Sequence, residues 1–195
     1  MKKFVALFCL AGIMFSCDIA QQLAGTLNMT QCKYDYNSIS AVSLAGINLN
    51  ASSLTSLNPL TLANLYSQLS SPTGSLPISF TLNVDVSNPS ATVASLSGLS
   101  YALQVEDVEL TQGTMSQRFQ VDAGGKTVLP ISMAFDLKQA MSGKSADAIK
   151  NLALGIAGIG GGQETKVTLN LKPSFLLGNQ VISSPAYIPV SFTVK

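Results

Sequence analysis

From Leu76 to Val86 every second residue is apolar: Leu76, Ile78, Phe80, Leu82, Val84 and Val86 alternate with Ser79, Thr81, Asn83 and Asp85. A period of two puts all the apolar side chains on one face of an extended chain, so this stretch predicts a half-buried β-strand. The same alternation returns in Leu99, Tyr101, Leu103 and Val105, and in Leu129, Ile131, Met133, Phe135 and Leu137. It appears again in Val167, Leu169 and Leu171, and in Ile188, Val190, Phe192 and Val194. Weaker strands are predicted elsewhere. Ile39, Val42 and Leu44 are followed by Ile47 and Leu49, with a change of phase at Ala45 and Gly46 that reads as a bulge. Val108 and Leu110 run on to Gly113 after a turn at Glu106 and Asp107. Met115, Phe119 and Val121 form a further strand, closed by a turn at Asp122, Ala123, Gly124 and Gly125.

Two segments carry a helical period instead. Asn58 is an N-cap, Pro59 suits the first helical position, and Leu62, Leu65, Tyr66 and Leu69 recur at i, i+3, i+4 and i+7. This helix is expected to pack across the open end of a sheet. A second helix is predicted from about Ser145 to Leu154, breaking down into a glycine-rich hinge at residues 155–162. Seven to eight short alternating strands separated by turn signals, with one or two short helices in the connections, describe an all-β fold. The expected architecture is an antiparallel, immunoglobulin- or fibronectin-like β-sandwich.

The strand ending at Ser87 stops on Asn88 and Pro89. Proline has no N–H to offer a ladder and restricts the residue before it to extended geometry. Asn88 is suited to an Asx-turn onto the following backbone. On physical grounds the pair is a strand terminator. Val84, Asp85, Val86, Ser87, Asn88 and Pro89, followed by Leu96, Gly98, Leu99, Tyr101, Leu103 and Val105, resemble the type 2 late-embryogenesis-abundant domain, also called the water-stress and hypersensitive-response domain. Gly113, the Gly124–Gly125 turn and Val128, Leu129, Pro130 and Ile131 continue that order. The resemblance spans roughly residues 36 to 195. The helix near residues 58–71 and the glycine-rich stretch at 155–162 are insertions relative to the compact domain. The resemblance implies a sandwich fold, a link to desiccation or stress, and no established active site, so it carries over no functional residues.

The N-terminus reads as a processing signal. Lys2 and Lys3 precede an apolar stretch from Phe4 to Phe15, then Ser16 and Cys17. About 12 apolar residues are too few for a bilayer span, which takes about 20. The sequence Ile13, Met14, Phe15, Ser16, Cys17 resembles a bacterial lipobox, in which the cysteine becomes diacylated and N-terminal. Residues 1–16 are thus read as a lipoprotein signal peptide, 17–35 as lipid anchor and tether, and 36–195 as the sandwich. Cys17 is the expected lipid-attachment residue. Cys9 leaves with the signal, so Cys32 remains alone, whereas without lipidation Cys17 and Cys32 are free to pair. Removing residues 1–16 takes the net charge from +1 to −1.

The chain is 47% hydrophobic but only 11% charged, and no charged residue lies between Asp35 and Asp85. Basic residues are scattered rather than clustered, which argues against nucleic acid. There is no histidine, so Ser-His-Asp triads, Cys-His dyads and histidine-ligated metals are excluded, and Cys32 has no base to activate it. Gly125-Lys126-Thr127 and Gly143-Lys144-Ser145 mimic the end of a phosphate-binding loop, but the required glycine five residues before each Gly-Lys is Gln120 or Lys138. The glycines at 155–162 lack the Gly-x-Gly-x-x-Gly spacing. No nucleotide, metal or other cofactor is expected. Glu106, Asp107 and Glu109 read as solvated charge at a turn rather than a calcium site. The sequence thus points to a non-catalytic, lipid-anchored protein of the bacterial cell envelope. It would act by binding or scaffolding, with an envelope protein as partner. The competing readings are an apolar-ligand carrier or small enzyme with a cavity between the sheets, and an adhesin or pilus-like subunit.

Overall fold

The strand predicted around Leu82 is the spine of the molecule. The computed structural model describes residues 25, 28–49, 58–71, 73–141, 146–156, 163–177 and 179–194. Eleven strands occur among them. β1 is Lys33–Leu44, β2 Ile47–Asn48, β3 Pro77–Ser87, β4 Ala94–Leu96, β5 Gly98–Val105 and β6 Val108–Met115. β7 is Phe119–Val121, β8 Lys126–Asp136, β9 Thr165–Leu177, β10 Gln180–Ser183 and β11 Ile188–Val194. Three helices join them: α1 Pro59–Ser70, α2 Leu137–Ala140 and α3 Ala146–Ile156.

Of the two main sheets, one has the order β2-β1-β3-β8 and the other β10-β9-β5-β6, with β11 also pairing β9. Every pairing is antiparallel. Because β11 pairs residues 165–171 of β9 and β10 pairs residues 174–177, the two lie end to end along the same side of that strand. The inward rows of both sheets form one core, including Leu82, Val84, Leu99, Leu103, Ile131, Leu169 and Leu171. Burying each such side chain contributes about 1.5–3 kcal/mol. The expected all-β sandwich is the fold of this chain.

Several local expectations are corrected. The folded unit begins before residue 36: β1 starts at Lys33, residues 28–31 form a helical turn, and Met29 and Cys32 are buried in the core. That stretch has no strong period because its apolar contacts come from two isolated side chains. Ala45 and Gly46 form a two-residue turn, with φ of 51° and 80° and Leu44 facing Ile47, rather than a bulge. The irregularities of β1 lie earlier, between Tyr36 and Ser38 and between Ser40 and Ser43, where Ala41 has φ of 51°.

Met115 ends β6, while Phe119 and Val121 belong to β7, which pairs with β4 as a separate two-stranded sheet. Leu137 does not extend β8. It opens α2, because the Asp136 side chain accepts from the Lys138 and Gln139 N–H groups and caps the helix. Gly155 and Ile156 still belong to α3, and Ile156 is buried. The expected cap at Ser145 and the glycines after 156 lie outside the described residues, as do the signal peptide and Cys17. The α1 helix forms as read, with the Asn58 Oδ1 accepting from Leu60 N–H at 3.0 Å and Leu65 in the core.

Candidate functional site

The surface of the sandwich carries three local arrangements. At one end sits Asn88, only 2% exposed. Its Oδ1 accepts from Ser90 N–H at 3.0 Å, the expected Asx-turn. Its Nδ2 donates to the carbonyls of Thr92, Asp122 and Val121 at 2.9, 3.0 and 3.2 Å, and its backbone N–H donates to Gly125 at 2.9 Å. Asn88 therefore does more than end β3. Its buried amide finds its partners in the carbonyls at the end of β7 and in the loop after β3, as burial of a polar group requires.

The chain comes into the fold at this same end. A Cβ on Gly25 would lie 2.9 Å from Ser95 Oγ, and Asn28 Nδ2 donates to Thr92 Oγ1 at 2.6 Å. Cys32 is the free thiol among the described residues. Its Sγ donates to Asn28 O at 3.3 Å, and burial raises its pKa. The neighbouring Tyr34 hydroxyl donates to Met29 O at 2.8 Å. Burial chiefly, and Cys32 in addition, push that phenol upward.

The outer face of the β9-β5-β6 sheet carries a polar depression of about 330 Å³. Ser100 pairs with Thr114 on one side and Lys172 on the other, and Ala102 pairs with Gln112, so their side chains share that face. Tyr187, 56% exposed, closes one wall, with Lys172 Nζ 5.4 Å from its ring centroid. Glu109 lines the opposite part. A second depression of about 490 Å³ opens near the β1-β2 turn, lined by Ser43, Pro77, Ser79, Ala134 and Phe135.

The charged groups singled out in the sequence are dispersed. Glu106 Oε1 accepts from Lys166 N–H at 3.0 Å, while Glu109 belongs to the polar depression. Among the described residues no three His, Cys, Asp or Glu side chains gather where they could hold a metal ion. Gly125 and Lys126 lie where the turn meets β8, and Lys126 Nζ is 2.7 Å from Asp85 Oδ2. The bonds from Lys126 and from Asn37 Nδ2 hold the Asp85 carboxyl below its ordinary pKa. Gly143-Lys144-Ser145 lies outside the described residues. No described helix is long and apolar enough to cross a membrane.

The third arrangement is β10, whose four residues, Gln180, Val181, Ile182 and Ser183, are all exposed. Sequence reasoning missed it because neither face is buried, so no alternation marks it. The available signal was Gly178-Asn179 between two β-branched or apolar runs, a hairpin dipeptide. Lys172 and Gln112 were also missed, since outward positions on strands have no distinctive pattern.

The sequence model of the late embryogenesis abundant protein family matches residues 83–184, more than half of the chain. The match covers Asn88, the Leu96 to Val105 pattern and β9. This chain belongs to the late embryogenesis abundant family. It is a β-fold member, and the resemblance read from the Asn88-Pro89 strand end and the Leu99 to Val105 alternation is correct.

Solved structures give distant similarities. A protein from Archaeoglobus fulgidus is 16% identical, with a TM-score of 0.36, over 82% of this chain and 98% of that one. An Arabidopsis thaliana protein solved in solution is 14% identical, with a TM-score of 0.42, over 60% of this chain and 70% of its own. A protein assigned to the late embryogenesis abundant (LEA) proteins is 11% identical, with a TM-score of 0.40, over 99% of this chain and 83% of its own. No curated protein matches the sequence.

Proposed function

We propose that this late embryogenesis abundant protein is a lipid-anchored, non-catalytic component of a bacterial cell envelope that acts by binding or scaffolding. The observation that carries the reading is the order of Lys2 and Lys3, the apolar stretch from Phe4 to Phe15, and Ser16-Cys17, followed by only a short run of chain before the fold. Only residues 18–24 separate the lipobox cysteine from Gly25, which already packs against Ser95. Eight residue steps reach at most about 29 Å. A diacylated Cys17 would therefore hold the Asn88 end of the sandwich beside the bilayer.

The polar depression around Lys172 and Tyr187 is the surface that would bind. Its interleaved hydroxyl, amide and charged groups suit the rim of a protein partner in the envelope better than an apolar ligand. A carrier built around a cavity between the sheets is less favoured, because Leu82, Leu103, Ile131 and Leu169 fill that space.

Expression with a labelled fatty acid should mark the wild-type protein, and Cys17→Ser should lose both the label and the membrane fraction. An unlabelled wild type would refute the anchor. Photo-crosslinking from Gln112 in intact envelope should yield a discrete adduct that Tyr187→Ala weakens. No adduct there would refute the binding surface and leave the anchor standing.

A further inference from the structure

The end of the sandwich that the tether reaches also carries β10. Gly25 lies against Ser95 and Val93 of the β4 region, and Ser97 N–H donates to Ser174 O on β9 at 2.8 Å. Ser174 in turn pairs with Ser183 of β10, their hydroxyls 3.0 Å apart. These contacts form one continuous path from the tether to β10. β5 begins at Gly98, opposite Ser174, so residues 175–177 of β9 and the β10 residues paired with them project beyond it.

Val181 and Ile182 are adjacent, so on a strand they point to opposite faces, yet they are 68% and 46% exposed. Edge strands in water are ordinarily blunted by charge, proline or short length. β10 is short but has neither charge nor proline, and Val93, also exposed, stands on the same end. Four residues give far too little area for a stable interface between two copies of the chain. The limited reach of residues 18–24 instead sets a bilayer within about 29 Å of this end.

We propose that Val181 and Ile182 form a second membrane contact, resting in the lipid interface of the bilayer that Cys17 anchors. This rests on the lipidation reading above. With both points engaged, the sandwich is held at a fixed orientation and turns Val108, beyond the opposite end of β5, away from the membrane. The seven steps along β5 put that end roughly 23 Å away.

The test uses the full-length protein, with acylation verified by fatty-acid label, in phosphatidylcholine vesicles carrying brominated acyl chains. Val181→Cys, Ile182→Cys and Val108→Cys each receive an environment-sensitive thiol fluorophore, with unsubstituted protein fixing the background from buried Cys32. Blue-shifted emission and bromolipid quenching at 181 and 182, but not at 108, are expected. An acylated, vesicle-bound protein in which all three probes stay in water overturns the second contact and leaves the anchor intact. Absence of the fatty-acid label overturns both. Shielding at 181 that follows protein density, or appears only in native envelope, overturns the lipid assignment in favour of a second copy or another protein.

Discussion

The Tyr101 hydroxyl on β5 donates to the Ser132 carbonyl on β8, 3.1 Å away, and so ties the two sheets together. The ring reaches Ser132 by crossing Gly113 of β6. A Cβ at Gly113 would stand 2.5 Å from the Tyr101 hydroxyl and 2.6 Å from Cζ. Gly113 is thus fixed by an aromatic neighbour rather than by its own backbone angles. At the other side of the sandwich Tyr36 and Phe192 stack at 4.2 Å, joining β1 to β11.

Tyr101→Phe keeps the ring and removes the bond, which should cost about 0.5–1.5 kcal/mol. Thermal unfolding should shift by about 2–4 °C for each kcal/mol. Gly113→Ala should cost more, because it displaces the ring. In a Tyr101→Ala background that extra cost should largely vanish, so a double-mutant cycle read by denaturant melts tests the contact. Additive effects would show that Gly113 serves another purpose.

Asn88→Ala should be more damaging than a turn residue would suggest. It leaves the buried Val121 carbonyl, and the partly exposed Thr92 and Asp122 carbonyls and Ser90 N–H, without their partner, and a buried orphan group costs about 1–3 kcal/mol. A loss of about 2–4 kcal/mol is expected, against about 0.4–1 kcal/mol for Pro89→Ala. Asn88→Asp should not rescue, since a carboxylate cannot donate to three carbonyls. Urea melts of the three variants give the order directly.

Acid should unfold the protein partly through Asp136 and Asp85. The Ser75 hydroxyl first, then the Leu76, Lys138 and Gln139 N–H groups, hold the Asp136 carboxyl below its ordinary pKa. Lys126 and Asn37 do the same for Asp85. With a folded pKa below 3.8, the unfolded chain binds more protons as pH falls through that value. The stabilisation is therefore complete above it and disappears below it. Asp136→Asn and Asp85→Asn should flatten the acid side of a stability–pH profile, with little change in its slope near neutrality.

Alkali should act through Cys32 and Tyr34. Both have folded pKa values raised by burial, from 9.0 and 10.0 respectively. Above pH 9 the unfolded chain loses protons that the folded one keeps, so stability falls as pH rises. Tyr34→Phe should reduce that fall. In the native protein Cys32 should react with a disulfide reagent far more slowly than in urea, since its thiolate is disfavoured and covered. Equal rates in both conditions would contradict its burial.

Alternation alone specified β3, β5, β8, the first half of β9 and β11. Each buries one face continuously, so local period and tertiary burial coincide. Asn58 with Pro59 likewise marked the start of α1, because a cap acts within one turn. Asn88-Pro89 was legible as a strand end and, through the pattern after it, as a mark of the family. The acceptors of its buried amide were not legible, because Val121 and Asp122 lie over thirty residues away. Tertiary structure also decided where β1 begins, since Met29 and Cys32 become core only when the sheets close over them. It decided that Gly113 lies beneath Tyr101, and that β10 exists at all. β10 buries neither face and is held by its pairing with β9, so its own residues carry no period for a sequence to reveal.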